Sequence, residues 1–129
     1  MSGVVLDASA IIALLKGERG ATKVAGVLAD AALCAVNQAE VISHFVHLGA
    51  PLDDIRAMLG ALPYRVITAD DALAWDAGDL RRTTASAGLS LGDRFCLALA
   101  RRLDAPAYTA DRPWKDIAAD IGVRVVVIR

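Results

Sequence analysis

The chain has 129 residues, of which 56% are hydrophobic and only 5% aromatic, and its formal net charge of -1 argues at first against a nucleic-acid partner. This length provides one compact domain with its own core and is too short for two ordinary ones, so we expect residues 1–129 to form a single domain. The apolar stretch over residues 4–15 is interrupted by Asp7 and is shorter than the roughly 18 apolar residues of a membrane span, so we expect no membrane segment.

Short apolar runs alternate along the chain with stretches of helical periodicity. In chain order, the pattern predicts a strand over residues 4–6, helices over 8–16 and 21–31, a strand over 32–36, and helices from an Asn37 cap to 48 and from Pro51 to 62. It then predicts a strand over 64–68, helices over 69–87 and from a Ser90 cap to 103, a strand over 107–109, a helix over 113–121 and a strand over 123–128. Because the strands are continuously apolar and alternate with helices, the pattern indicates a central parallel sheet covered on both faces, which is a three-layer α/β/α fold.

Four acidic residues stand where a predicted strand ends or a helix begins: Asp7, Glu40, Asp93 and Asp111. The carboxyl ends of parallel strands meet at one edge of a sheet, so we expect these carboxylates to be neighbours in space. A single Asp at such a position is more often a helix cap, but four at one edge favour a site for one or two hard cations such as Mg²⁺ or Mn²⁺. Two carboxylates about 4 Å apart repel by about 4 kcal/mol at an effective dielectric near 20, and a cation relieves that repulsion. Phosphodiester hydrolysis is the natural chemistry of such a site.

Other polar residues near these acids have two readings each. Ser9 and Thr109 each lie two residues from a proposed ligand and could hydrogen-bond a carboxylate or a metal-bound water, while helix capping and strand propensity explain them equally well. Asp116 is a further carboxylate candidate or an exposed residue of a short helix. His44 and His47 follow Glu40 at helical spacing, but no zinc-binding spacing is present, so we expect them to be packed or exposed rather than ligating.

The charge balance permits a polyanionic substrate. Removing the four proposed ligands from the 15 acidic residues leaves 11 against 14 Lys and Arg, a remainder of about +3. The loops over residues 17–20 and 111–114 should lie on the same edge as the acids and flank the bound substrate. The candidates for RNA contact are the cations Arg19, Arg94, Arg112 and Lys115, which could equally be solvated charges, and Trp114, which could stack on a base or pack in the core.

Two further patterns concern the cellular compartment and the oligomeric state of the protein. Cys34 and Cys96 each lie within an apolar run and belong to no CxxC motif, so we expect buried, reduced thiols, no structural zinc and a cytoplasmic protein. The apolar residues within 41–48 and 51–62 exceed what a small core absorbs, and this surplus predicts a homodimer.

Four segments resemble the successive motifs of PIN-domain ribonucleases, in particular the VapC-type toxins of bacterial type II toxin-antitoxin systems. They are LDASA at residues 6–10, NQAEV at 37–41, LGDRFCLA at 91–98 and YTADRPW at 108–114. The resemblance covers essentially the whole chain, and its order and spacing are specific in a chain this short. It implies a PIN fold whose metal ligands are Asp7, Glu40, Asp93 and Asp111, with Mg²⁺ or Mn²⁺ bound and RNA cut endonucleolytically. It also implies a homodimer and an antitoxin whose C-terminal segment covers the site.

An open anionic pocket accepts an arginine, because a guanidinium pairs with carboxylates bidentately. We therefore expect the antitoxin to carry arginine in its C-terminal tail. Two other classes stay open, namely a PIN-like module that binds RNA or protein without cutting and a different Mg²⁺-dependent α/β phosphohydrolase or phosphotransfer protein. A phosphatase of the haloacid dehalogenase type needs two Asp at the end of strand one, and Asp7-Ala8-Ser9 lacks the second. A phosphotransfer receiver needs an acidic pair ahead of its phosphoacceptor Asp and a late Lys.

Overall fold

A five-stranded parallel sheet organises the fold. The computed structural model describes residues 3–129. The strands are β1 (Val4–Leu6), β2 (Ala31–Cys34), β3 (Arg65–Ile67), β4 (Ala107–Thr109) and β5 (Val125–Val127), in the order β3-β2-β1-β4-β5. Each neighbouring pair is parallel, so the carboxyl ends of β1, β2 and β4 meet at the centre of one edge.

Helices connect the strands and cover the sheet. Within the described residues they are α1 (Ala8–Lys16), α2 (Ala21–Ala25), α3 (Ala35–His47), α4 (Leu52–Gly60), α5 (Asp71–Asp79), α6 (Arg81–Thr84), α7 (Leu91–Leu103) and α8 (Trp114–Ile121), with short 3₁₀ turns at Leu28–Asp30 and Ala85–Ala87. None of the helices in residues 3–129 is long and apolar enough to cross a membrane.

Side chains of β1 divide the core into two layers, because successive residues of a strand point to opposite faces of its sheet. Val5 contributes to a cluster with α5, α7 and α8 that contains the fully buried Leu97. Val4 and Leu6 contribute to a second cluster, with α1 to α4, that contains the fully buried Ile11. Helices therefore pack on both faces of the sheet, and the predicted three-layer α/β/α fold is confirmed.

Two of the predicted helices are interrupted. The helix expected over 21–31 ends at Ala25, and β2 already begins at Ala31 because Ala31 pairs with Val4 of the central strand. The helix expected over 69–87 divides into α5, α6 and a 3₁₀ turn. At the junction, the Thr84 hydroxyl donates a hydrogen bond to the Leu80 carbonyl over 2.7 Å, a local bond of the kind that competes with regular helix geometry.

The cap predicted at Asn37 is wrong, whereas the cap predicted at Ser90 is confirmed. Helix α3 begins at Ala35, directly after β2, and the extended Cys34 occupies its N-cap position. Asn37 lies in the first turn of α3 and bonds to groups that the tertiary structure brings to it. Ser90 caps α7 in a capping box, in which its hydroxyl accepts from the Asp93 amide and the Asp93 side chain accepts from the Ser90 amide.

Candidate active site

Asp7 lies at the end of the central strand and is the most enclosed of the four predicted acids. Its side chain is only 4% exposed. The hydroxyls of Ser9 and Thr109 donate to its Oδ2 over 2.7 and 3.0 Å. Burial raises the pKa of the Asp7 carboxyl from its ordinary 3.8 to about 6, and the charges of Asp93 and Glu40 add to that rise, while the two hydroxyl bonds oppose it.

Ser9 and Thr109 tie Asp7 to the loop that follows β4. The Ser9 hydroxyl accepts from the Ala110 amide over 2.9 Å, and the Thr109 hydroxyl accepts from the Asp111 amide over 3.0 Å. Each hydroxyl has one proton, which it gives to Asp7, so the 3.3 Å between the two hydroxyl oxygens is a close approach rather than a third bond. Both residues therefore hold Asp7 in one orientation and fix the backbone at Asp111.

Glu40 projects from α3 toward the first turn of α7. Its Oε1 accepts from Asn37 Nδ2 over 2.8 Å. Partial burial raises the pKa of the Glu40 carboxyl, the Asn37 bond opposes that rise, and the charge of Asp93 adds to it. Glu40 thus shares an anionic environment with Asp93 although the two lie 53 positions apart in the chain.

Asp93 serves both its helix and the acidic cluster. Its Oδ2 accepts from the Ser90 amide over 2.9 Å, which holds the carboxylate at the N-terminus of α7. Burial raises its pKa, the bonds from Ser90 oppose that rise, and the charge of Asp111 adds to it. The charge of Asp93 in turn raises the pKa values of Asp7 and Glu40, so Asp93 is electrostatically coupled to each of the other three acids.

The four carboxylates form a loose cluster at the edge where they were predicted to meet. An open cleft of about 800 Å³ is lined by Asp7, Glu40 and Asp93. Asp111 is exposed in the loop between β4 and α8. Within residues 3–129, no group of three or more His, Cys, Asp or Glu side chains is arranged closely enough to hold a metal ion. An ion in this cleft would therefore take one or two of the carboxylates and complete its coordination with water.

The chemistry of this donor set nevertheless fits a hard cation. All four groups are carboxylates, and Mg²⁺ and Mn²⁺ take oxygen ligands. Burial and mutual repulsion raise the pKa values of Asp7, Glu40 and Asp93, and a bound cation would favour the ionised form of each.

The structure separates the remaining candidates into exposed and buried residues. Arg19, Arg112 and Lys115 are exposed and free to meet a phosphate. Arg94 is 8% exposed and donates to the Leu89 carbonyl over 3.0 Å, so the phosphate contact predicted for it is wrong for this structure. Trp114 is fully buried, so it packs in the core and cannot stack on a base.

Asp116 and the two histidines differ in their burial. Asp116 is an exposed residue in the first turn of α8. His44 is partly buried and packs edge-on against Phe45, with ring centroids 5.2 Å apart, while His47 is exposed. Both histidines also line the cleft, a position on the α3 face beyond Glu40 that helical spacing alone explains.

The loop over residues 17–20 lies at the carboxyl end of β5, on the predicted edge of the sheet. A side chain at Gly20 would meet the Ile128 carbonyl oxygen at 2.6 Å, and Gly20 has a φ of 99°, so this close approach requires glycine. Glu18 lies 3.9 Å from the Arg129 guanidinium. The loop after α1 and the residues after β5 are therefore in contact at this edge.

Asn37 and Gly92 are the site residues that sequence reasoning missed. Asn37 donates to both the Glu40 carboxylate and the Gly92 carbonyl, and Gly92 lies directly against that carboxylate. The spacing of three residues between Asn37 and Glu40 is a usable signal, because residues three apart share a helix face. The prediction of a cap at Asn37 hid it.

Comparisons with known proteins agree on the fold. The model of the PIN domain family matches residues 4–120. No curated protein matches the sequence. A toxin-antitoxin complex from Klebsiella pneumoniae is similar at 22% identity with a TM-score of 0.75, and a DNA-bound VapBC from Salmonella typhimurium at 19% with 0.76. VapBC-5 from Mycobacterium tuberculosis is similar at 24% with 0.65, and in all three cases the match covers 98% of each chain.

Proposed function

Because the chain belongs to the PIN domain family, we propose that it is a metal-dependent endoribonuclease and the toxin of a type II toxin-antitoxin module. The observation that carries the proposal is the set of carboxylates at the edge of the sheet. Asp7, Glu40 and Asp93 line one cleft, and the charge of Asp111 acts on Asp93. The family match removes the dehalogenase-type and receiver alternatives, while a PIN-like module that binds without cutting is left for experiment to exclude.

In this proposal the four acids hold one or two Mg²⁺ or Mn²⁺ ions and act as the catalytic residues. A bound ion of this kind polarises a phosphodiester and lowers the pKa of a water molecule. Asp7 is the rigid member of the set, because two hydroxyl groups hold its Oδ2 in place. Neither bond uses Oδ1, which among residues 3–129 is left available to a ligand. Asp111 is the adjustable member, because its side chain is exposed, although its backbone amide is held by the Thr109 hydroxyl.

The RNA contacts that we propose come from exposed cations beside this edge. Arg112 and Lys115 flank the loop after Asp111, and Arg19 lies in the loop after α1. Outside the four acids the chain carries a small positive excess, which suits a polyanion. Contacts to the phosphate backbone of this kind position RNA without specifying its sequence.

We propose an antitoxin as the protein partner, because the similar structures from Klebsiella pneumoniae, Salmonella typhimurium and Mycobacterium tuberculosis are toxin-antitoxin or VapBC proteins. Its tail would carry an arginine that enters the acidic cleft. The buried Asp7 and the partly buried Glu40 and Asp93 have raised pKa values and gain from a fixed positive charge, whether a metal ion or a guanidinium supplies it. Metal and tail would then compete for the same groups.

We also propose that the chain forms a homodimer through α3 and α4. Val46, Leu48 and Leu52 are each more than half exposed where α3 ends and α4 begins. A neighbouring groove of about 420 Å³ lies between α3, α4 and the edge strand β3 and includes Leu52 and Val66. Exposed apolar side chains that adjoin one another mark an interface more often than a free surface.

The free, buried thiols of Cys34 and Cys96 suit a reducing compartment, and we place the activity in the cytoplasm.

Cleavage of a structured RNA by the purified chain tests the proposal. We expect cleavage with Mg²⁺ or Mn²⁺, none in EDTA, and none by the Asp7→Asn or Asp93→Asn variants. Asp120→Asn provides a matched control, because Asp120 is exposed on α8 away from the cleft residues. Cleavage that survives EDTA and both site substitutions would refute the assignment, and RNA binding without any cleavage would favour the non-cutting module.

A further inference from the structure

Asn37 is a fully buried polar residue that joins two helices of the site. Its Nδ2 donates to Glu40 Oε1 over 2.8 Å and to the Gly92 carbonyl over 2.9 Å. Glu40 belongs to α3 and Gly92 to the first turn of α7, next to Asp93. One amide group therefore connects the helix that carries Glu40 to the helix that carries Asp93.

The orientation of the Asn37 amide follows from its neighbours. Both are acceptors, and only the NH₂ side of an amide has two protons to give. The opposite orientation would press the amide oxygen against a carboxylate and a carbonyl. Asn37 Oδ1 instead lies buried with no hydrogen-bond partner among residues 3–129. A buried acceptor without a partner costs free energy, which the two bonds from Nδ2 offset.

Gly92 completes the surroundings of Glu40 by having no side chain. A Cβ at this position would lie 2.6 Å from Glu40 Oε1 and closer still to Oε2. Gly92 is not among the glycines with positive φ, so its backbone conformation does not require glycine. Glycine instead lets the Glu40 carboxylate pack directly against the Gly92 backbone, and a Cβ here would displace the end of that side chain.

We propose that Asn37 and Gly92 form a seat that fixes the Glu40 carboxylate beside Asp93 as a metal ligand, with Asn37 as a positioning residue that acts through Glu40. This inference rests on the proposed function, because it deepens the role of Glu40 at that site. Asn suits the position because Ser or Thr has one proton to donate and an ionised Asp has none. A fifth carboxylate at position 37 would also repel Glu40.

Calorimetric titration of the full chain with Mn²⁺ tests the seat. We expect Asn37→Ala and Gly92→Ala each to weaken Mn²⁺ binding about tenfold, the usual scale for groups that orient metal ligands. Gln38→Ala is the matched control, because Gln38 is the next residue of α3 and accepts from the Tyr64 hydroxyl over 3.0 Å, away from the acids. Gly92→Ala should not lower the melting temperature in EDTA, because alanine has the higher helix propensity. It therefore decides the question if Asn37→Ala fails to fold.

A double-mutant cycle separates positioning from a general structural effect. In a Glu40→Gln background, Asn37→Ala should change the Mn²⁺ affinity by less than about twofold, since its effect passes through the Glu40 carboxylate. A tenfold loss that persists in that background would overturn the proposal, as would wild-type affinity in Gly92→Ala.

The outcomes also distinguish a failure of the seat proposal from a failure of the proposed function. A wild-type chain that binds Mn²⁺ but cuts no RNA refutes the proposed function, and the Mn²⁺ affinities of the variants still decide the seat. A wild-type chain that binds and cuts, together with unchanged affinities in Asn37→Ala and Gly92→Ala, refutes the seat alone. A wild-type chain that binds no Mn²⁺ refutes both.

Discussion

Replacing Asp7 with Asn should stabilise the metal-free protein above about pH 6 while it removes a proposed metal ligand. The side chain is 4% exposed, and its ionised form is disfavoured mainly by burial. Asn has the same shape and no charge. Its amide oxygen can still accept from the Ser9 and Thr109 hydroxyls, so the substitution removes a buried charge and keeps the two bonds to Oδ2.

The magnitude follows from the pKa of Asp7. A rise from 3.8 to about 6 is about 2 pKa units, which corresponds to about 3 kcal/mol between the two protonation states. Because the pKa is raised in the folded state, protonated Asp7 contributes its full stability below pH 3.8, and that contribution is lost as the pH rises through about 6. Above that pH, the wild type should be less stable than Asp7→Asn by up to about 3 kcal/mol.

Urea denaturation in EDTA at about pH 4, 6 and 8 measures this difference as a function of protonation. Asp120→Asn, on the exposed side of α8, should stay within about 0.5 kcal/mol of wild type at each pH. Addition of Mn²⁺ should reverse the order, because a ligand stabilises only the folded state that binds it. Equal stability of wild type and Asp7→Asn at pH 8, or a difference that does not shrink on acidification, would show that Asp7 is ionised without a cost and would refute the reasoning.

The acidic cleft and the apolar surface of α3 and α4 also allow predictions about Mn²⁺ affinity, oligomeric state and inhibition by the antitoxin. Mn²⁺ affinity should fall as the pH drops below about 6, because Asp7 is then protonated, and a flat affinity between about pH 5 and 8 would contradict this. Sedimentation at micromolar concentration should show a dimer that Leu48→Glu converts to a monomer, whereas Trp75→Glu, at a 75% exposed position on α5, should leave it intact. A monomeric wild type would instead assign the apolar surface of α3 and α4 to the antitoxin. An arginine-bearing antitoxin tail peptide should inhibit cleavage competitively with Mg²⁺, and equal inhibition by full antitoxin with its tail arginines changed to alanine would exclude the cleft as its target.

The sequence alone was sufficient for the order of the five strands along the chain and for the expectation that the acids lie near their carboxyl ends. Strand residues 4–6 form a short apolar run between Gly3 and Asp7, and that signal is local. Parallel pairing then brings the carboxyl ends of β1, β2 and β4 to one edge whatever the details of packing. Asp7 follows β1 directly and Asp111 follows β4 after one residue, which is why their neighbourhood was predictable without coordinates.

Only the tertiary structure decided which polar side chains reach the site. Arg94 and Asp93 are adjacent in the chain, yet Arg94 turns into the core while Asp93 faces the cleft. Trp114 likewise belongs to the core, and Asn37, which local rules favour as a helix cap, bonds to Gly92 across 55 positions of sequence. The physical reason is that burial and hydrogen-bond partners depend on packing between distant segments, whereas helix periodicity and capping preferences depend on residues a few positions apart.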